Sequence, residues 1–74
     1  DVEFTRHLYL DMVGDDVKKV QYLLKKAGYL YGEISGTYDE DTKTAVILFQ
    51  KDRGISQTGN VGEKTKAALI QIIQ

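Results

Sequence analysis

The chain has 74 residues, ten Lys and Arg against eleven Asp and Glu, one histidine and no cysteine. That length is a single domain, which buries only roughly 60% of its unfolded surface and must draw its stability from apolar packing, caps and turns. The composition excludes disulfides and thiolate or multi-histidine metal sites, and a formal charge of −1 without a basic stripe excludes nucleic acid and anionic membranes as partners.

Residues 1–13 read as an N-terminal arm, irregular or with a short helical turn, packed on a bundle formed by residues 14–74. The arm contains Leu8, Leu10, Met12 and Val13. The opening Asp1-Val2-Glu3-Phe4 has neither the basic nor the apolar stretch of a signal peptide, and no Met precedes it. The expectation is a mature segment or a piece of a longer protein, with any export signal outside this segment. The longest apolar run, Ala45 to Phe49, is far too short to cross a bilayer.

The first helix is predicted from Asp15 to Ala27. Asp15 and Asp16 complement the dipole at its start, Lys25 and Lys26 at its end, and Gly28 supplies the stop. Next comes a loop from Gly28 to Gly36. The second helix is predicted from Glu40 to Arg53, with Asp39 as N-cap and Gly54 as stop. A second loop, Gly54 to Val61, leads to a third helix from Glu63 to Ile73, with Gly62 as a permissive cap. Pairing of Ile34 with Val61 is the one extended contact suggested between the loops.

An internal repeat runs through these elements. With Gly14, Asp39 and Gly62 aligned, the positions three residues on are Val17, Thr42 and Thr65. Six on are Val20, Ala45 and Ala68; seven on, Gln21, Val46 and Leu69; ten on, Leu24, Phe49 and Ile72. Those steps follow the helical period and mark one buried stripe per helix. The expected core adds Ala27 and Ile73, with Leu8, Leu30, Ile34, Ile55 and Val61 closing the ends. The fold class is therefore all-α, a compact three-helix bundle with an internal repeat, short loops and at most minimal extended pairing.

Chemistry for bond-breaking is sparse. His7, read as a surface residue, stands alone, so a histidine-based triad lacks its parts. The acids cluster in first helical turns, where capping and the dipole already account for them. Asp39-Glu40-Asp41 lacks calcium-loop spacing, and no phosphate-binding glycine motif is present. What stands out is tyrosine, five in all, with Tyr29, Tyr31 and Tyr38 in or beside one loop. Tyrosine offers a flat apolar face and a hydroxyl, suited to sugar rings and peptide carbonyls alike. Tyr31 is the expected exposed member, while Tyr29 and Tyr38 are equally placed to plug the bundle end. Gln21 and Gln50 sit beside the core, where a half-buried amide must be satisfied; tying loop backbone is the first use considered and ligand contact the second. Thr42 and Thr65 are expected to bond the cap backbone or the preceding turn.

In order and spacing, the run Gly14-Asp15-Asp16-Val17, Val20-Gln21, Leu24, Gly28-Tyr29, Gly32, Gly36, Tyr38, Thr42, Ala45-Val46, Phe49-Gln50, Gly54-Ile55, Gly59, Val61-Gly62, Thr65 and Leu69 resembles the peptidoglycan-binding domain found beside bacterial and phage cell-wall hydrolases. The chain departs from the usual pattern at Ser35-Gly36 and Thr58-Gly59, where Asp-Gly is more usual, and at Val20, more often leucine. The resemblance implies a three-helix, non-catalytic module, without cofactor or metal, that targets an attached hydrolase to murein. The implied partners are the stem peptide or glycan of peptidoglycan and a covalently attached catalytic domain, with the module a monomer at the cell wall, outside the cell. The candidate ligand-binding residues are Tyr29, Leu30, Tyr31, Gly36, Thr37, Tyr38 and Gln50. The alternative is a protein–protein or intramolecular docking module of a secreted, phage or spore protein.

Overall fold

Three stretches free of proline and of internal glycine form the helices: α1 (Asp15–Lys26), α2 (Glu40–Asp52) and α3 (Glu63–Ile70). The computed structural model describes residues 6–73, with the side chain of Ile73 left out, so the expected core role of Ile73 lies outside the described residues. Helix α1 packs against both α2 and α3. Among the described residues no helix is long and apolar enough to cross a membrane.

The ends of the helices follow from their terminal residues. Asp39 caps α2, its Oδ1 accepting from the Thr42 N–H at 2.9 Å and the Thr42 hydroxyl at 2.8 Å. Thr42 thus bonds the cap side chain, where the cap backbone or the preceding turn was expected. Helices α1 and α2 close with the same paired bonds: Gly28 N–H to Lys25 O and Tyr29 N–H to Leu24 O in one, Gly54 N–H to Lys51 O and Ile55 N–H to Gln50 O in the other. Helix α3 is shorter than its periodicity suggests. Past Ile70 the chain tightens into a 3₁₀ turn, Gln71–Ile73.

The core is one cluster. Val17, Val20, Leu23 and Leu24 come from α1, Ala45, Val46 and Phe49 from α2, Leu69 from α3, and Leu8, Leu30, Tyr38 and Val61 from the arm and loops. Leu23 joins the stripe unexpectedly. Ala27 does not join it: α1 ends one residue earlier, and Ala27 sits exposed at the cap where the chain turns away. Ala68 and Ile72 pack on the cluster half-buried, and Ile34 and Ile55 are half-buried as well.

Among the described residues no strand forms, but two isolated antiparallel bridges do: Leu8 with Val61, and Val13 with Thr37. Val61 therefore pairs with the arm, and not with Ile34. The arm is also held electrostatically. Arg6 Nε donates to Asp16 Oδ2 at 2.7 Å, and its Nη2 donates to Asp16 Oδ1 at 3.0 Å and to the Val13 carbonyl at 2.8 Å. A bidentate pair of this kind is the stronger class of charge-assisted contact.

The internal repeat reappears as two matching polar clasps. Gln21 Nε2 donates to the Thr37 carbonyl at 3.0 Å and to Thr42 Oγ1 at 2.9 Å, while its Oε1 accepts from the Gly36 N–H at 2.9 Å. Gln50 Nε2 donates to the Asn60 carbonyl at 2.8 Å and to Thr65 Oγ1 at 3.1 Å, while its Oε1 accepts from the Gly59 N–H at 3.0 Å. Each glutamine staples the turn that launches the next helix. Gly36 and Gly59 have φ of 84° and 78°, and a Cβ at either would come within 3.0 Å of a lysine side chain. Both reasons favour glycine there.

Candidate functional site

The loop after α1 builds the most distinctive surface feature. Because α1 closes at Gly28, Tyr29 follows immediately and is directed onto α2. Its ring meets Phe49 edge to face, with centroids 5.5 Å apart at 86°. Phe49 is fully buried, and the Arg53 guanidinium lies 5.0 Å from its centroid. The Tyr29 hydroxyl donates to Asp52 Oδ2 at 2.6 Å. That bond first, and partial burial second, push the Tyr29 phenol above its ordinary value. The side chain is thus fixed at both its ring and its hydroxyl.

Beside it runs a groove of about 390 Å³ between this loop and the first turns of α2. Tyr29, Leu30 and Tyr31 form one wall; Thr44, Ala45 and Leu48 form the other, with Asp41 at the start of the helix. Tyr31 is 87% exposed and Leu48 47% exposed. Exposed apolar groups gathered at a concave surface are what a recognition site requires, whereas an isolated exposed leucine needs no explanation.

The seven residues singled out from sequence divide cleanly. Tyr29, Leu30 and Tyr31 come together on the groove. Tyr38 is fully buried beneath the loops, its hydroxyl donating to the Gly59 carbonyl at 2.6 Å, and burial pushes its phenol far above the ordinary value. Gly36 is buried in the Gln21 clasp, and Thr37 is exposed but pairs its backbone with Val13. Gln50 is 1% exposed, with its amide engaged in the second clasp. Asp41, Thr44 and Leu48 were not named among the candidates, although the start of the second helix was expected to take part; the helix period places them together on the groove side of α2. The signal was present in their i, i+3, i+7 spacing, but the buried stripe of the same helix masked it.

A second cleft, about 420 Å³, lies between the loop after α2 and the start of α3. His7, Gln50, Ser56, Asn60, Glu63 and Lys64 are among its walls. No cluster of three or more histidine, aspartate or glutamate side chains is placed to hold a metal ion among the described residues.

Comparison with known proteins fits this geometry. A family model described as "Putative peptidoglycan binding domain" matches residues 13–69. Among curated proteins, the spore cortex-lytic enzyme of Bacillus subtilis is 45% identical over 58 residues, covering 77% of this chain and 19% of that protein. The carboxy-terminal processing protease CtpB of the same organism is 36% identical over 67 residues, covering 90% of this chain and 14% of the protease. The chain therefore spans a fifth or less of these relatives. Among solved structures, the SleB N-terminal domain superposes with a TM-score of 0.94 at 27% identity, covering 99% of this chain and all of that one. A peptidoglycan-binding protein from Clostridioides difficile, solved with glutamine hydroxamate, gives 0.85 at 32% identity, covering 92% of this chain and 42% of that one. With the family model matched from the end of the arm into α3, and the same all-α fold in a solved relative, the chain belongs to the peptidoglycan-binding domain family.

Proposed function

We propose that this domain binds peptidoglycan through the groove between Tyr31 and Leu48 and holds an attached hydrolase on the cell wall or spore cortex, outside the cell. The observation that carries the reading is the groove itself: an exposed tyrosine beside one anchored by Asp52, facing an apolar helix edge. The family supports the ligand, and the spore cortex-lytic relative supports the attached hydrolase. The domain itself recognises and does not cleave. It works as a monomer, and its affinity is weak because a shallow groove buries little; tight attachment of the parent protein then comes from linked binding events.

Co-sedimentation with purified insoluble peptidoglycan tests this. The folded domain should be retained, and Tyr31→Ala should lower its affinity about tenfold with an unchanged melting temperature. A folded domain left wholly in the supernatant contradicts the proposal.

The processing protease among the relatives favours a second reading, docking on an attached catalytic domain. In that case the separately expressed halves of the parent protein co-purify, and adding the domain changes catalytic activity without any wall present.

A further inference from the structure

Peptidoglycan offers two chemistries to a binding module: a strand of uncharged N-acetylated sugars, and short peptides carrying free carboxylates. We propose that the tyrosine groove takes the sugar strand and not the carboxylate-bearing peptides. This rests on the peptidoglycan reading above and narrows it. The first argument is charge. Among the described residues, the only ionisable side chain on the groove besides its two tyrosines is Asp41; no lysine, arginine or histidine lines it. A carboxylate entering it finds no basic side chain on the walls and meets the like charge of Asp41, an arrangement that disfavours binding. Asp41 is instead an acceptor only, suited to a sugar hydroxyl or acetamido N–H, and the Thr44 hydroxyl can donate or accept.

The second argument is the state of the tyrosines. The Tyr29 hydroxyl already donates to Asp52, so this side chain presents a ring and not a free donor. Held also against Phe49, it loses little rotamer freedom when a ligand arrives. Tyr31 is solvated and adds a second ring at the rim. Flat apolar faces with a few hydrogen-bond partners at their edges match the apolar face and polar rim of a pyranose. The other cleft differs on the same criteria, because Glu63, Lys64 and His7 line it and no tyrosine does.

Calorimetric titration with the β-1,4-linked tetramer of N-acetylglucosamine, and separately with a free tetrapeptide stem, tests the assignment. The tetramer should bind with an affinity nearly independent of salt and lose roughly tenfold in Tyr31→Ala. The peptide should give no heat. Binding of the peptide with a silent tetramer overturns the inference, and so does tetramer binding untouched by Tyr31→Ala. Retention on whole peptidoglycan with a silent tetramer also overturns it while leaving the wall-binding reading intact. Absence of both removes the two together.

Discussion

At the scale of single residues, the glutamine clasps decide how firmly the loops are held. Replacing Gln50 by Ala leaves the Gly59 N–H and Thr65 Oγ1 without their glutamine partner, and the Asn60 carbonyl with only the longer Thr58 hydroxyl bond. Unsatisfied buried groups cost about 1–3 kcal/mol each, so Gln50→Ala should lower stability by about 3 kcal/mol. A urea titration with an unchanged m-value and a lower midpoint would report it. Acid should act through Asp16. The Arg6 guanidinium beside it, through their hydrogen bond first, holds the Asp16 carboxyl below the usual carboxylate range. A lowered folded value means the stabilisation is complete above the ordinary carboxyl value of about 3.9 and disappears as pH falls through the folded value. The melting temperature of the native domain should therefore drop on acidification, and Asp16→Asn should flatten that part of the curve while lowering stability at neutral pH.

At the scale of elements, the helices were legible because their ends are written in local chemistry. Asp39, Gly28 and Gly54 each act within a few residues of themselves, and α1 and α2 end within one residue of the positions those signals mark. Asp39→Ala should remove two bonds to Thr42 and cost about 1 kcal/mol, measured as a lower thermal midpoint, because no neighbouring side chain replaces that carboxylate. The loop pairings were not legible. Val61 meets Leu8 and Arg6 meets Asp16 across long stretches of sequence, and neither partner carries a local sign of the other. The doubled clasp was half legible. The two glutamines stood out as polar residues beside the core, but the cap-based alignment pairs Gln21 with Val46. The structure instead matches Gln21 to Gln50, because Gln21 lies about a turn further back on its helix and the following loop is longer. Equivalent function was kept while register was not.

At the scale of the whole molecule, the domain divides its tyrosines between two tasks. Tyr38 closes the interior under the two loops and bonds Gly59, whereas Tyr29 and Tyr31 dress a groove outside it. Sequence placed all three in one neighbourhood and could not separate them, since burial depends on how the loop crosses α2. The clasps matter here as well. They hold the turn before each helix, and the turn at Gly36 fixes where α2 begins and so where Asp41, Thr44 and Leu48 stand against the tyrosines. The proposed groove thus stands on a helix held in place by the clasp, with one exposed ring at its edge, an arrangement that would keep ordering costs low on binding.

The most direct measurement is chemical-shift mapping of the isotope-labelled domain during titration with soluble peptidoglycan fragments. Perturbations are expected to concentrate on residues 29–32 and on Asp41, Thr44, Ala45 and Leu48, with the Gln50 clasp undisturbed. Shifts confined to His7, Ser56 and Lys64 around the second cleft, or none at saturating fragment with the fold intact, would contradict the account.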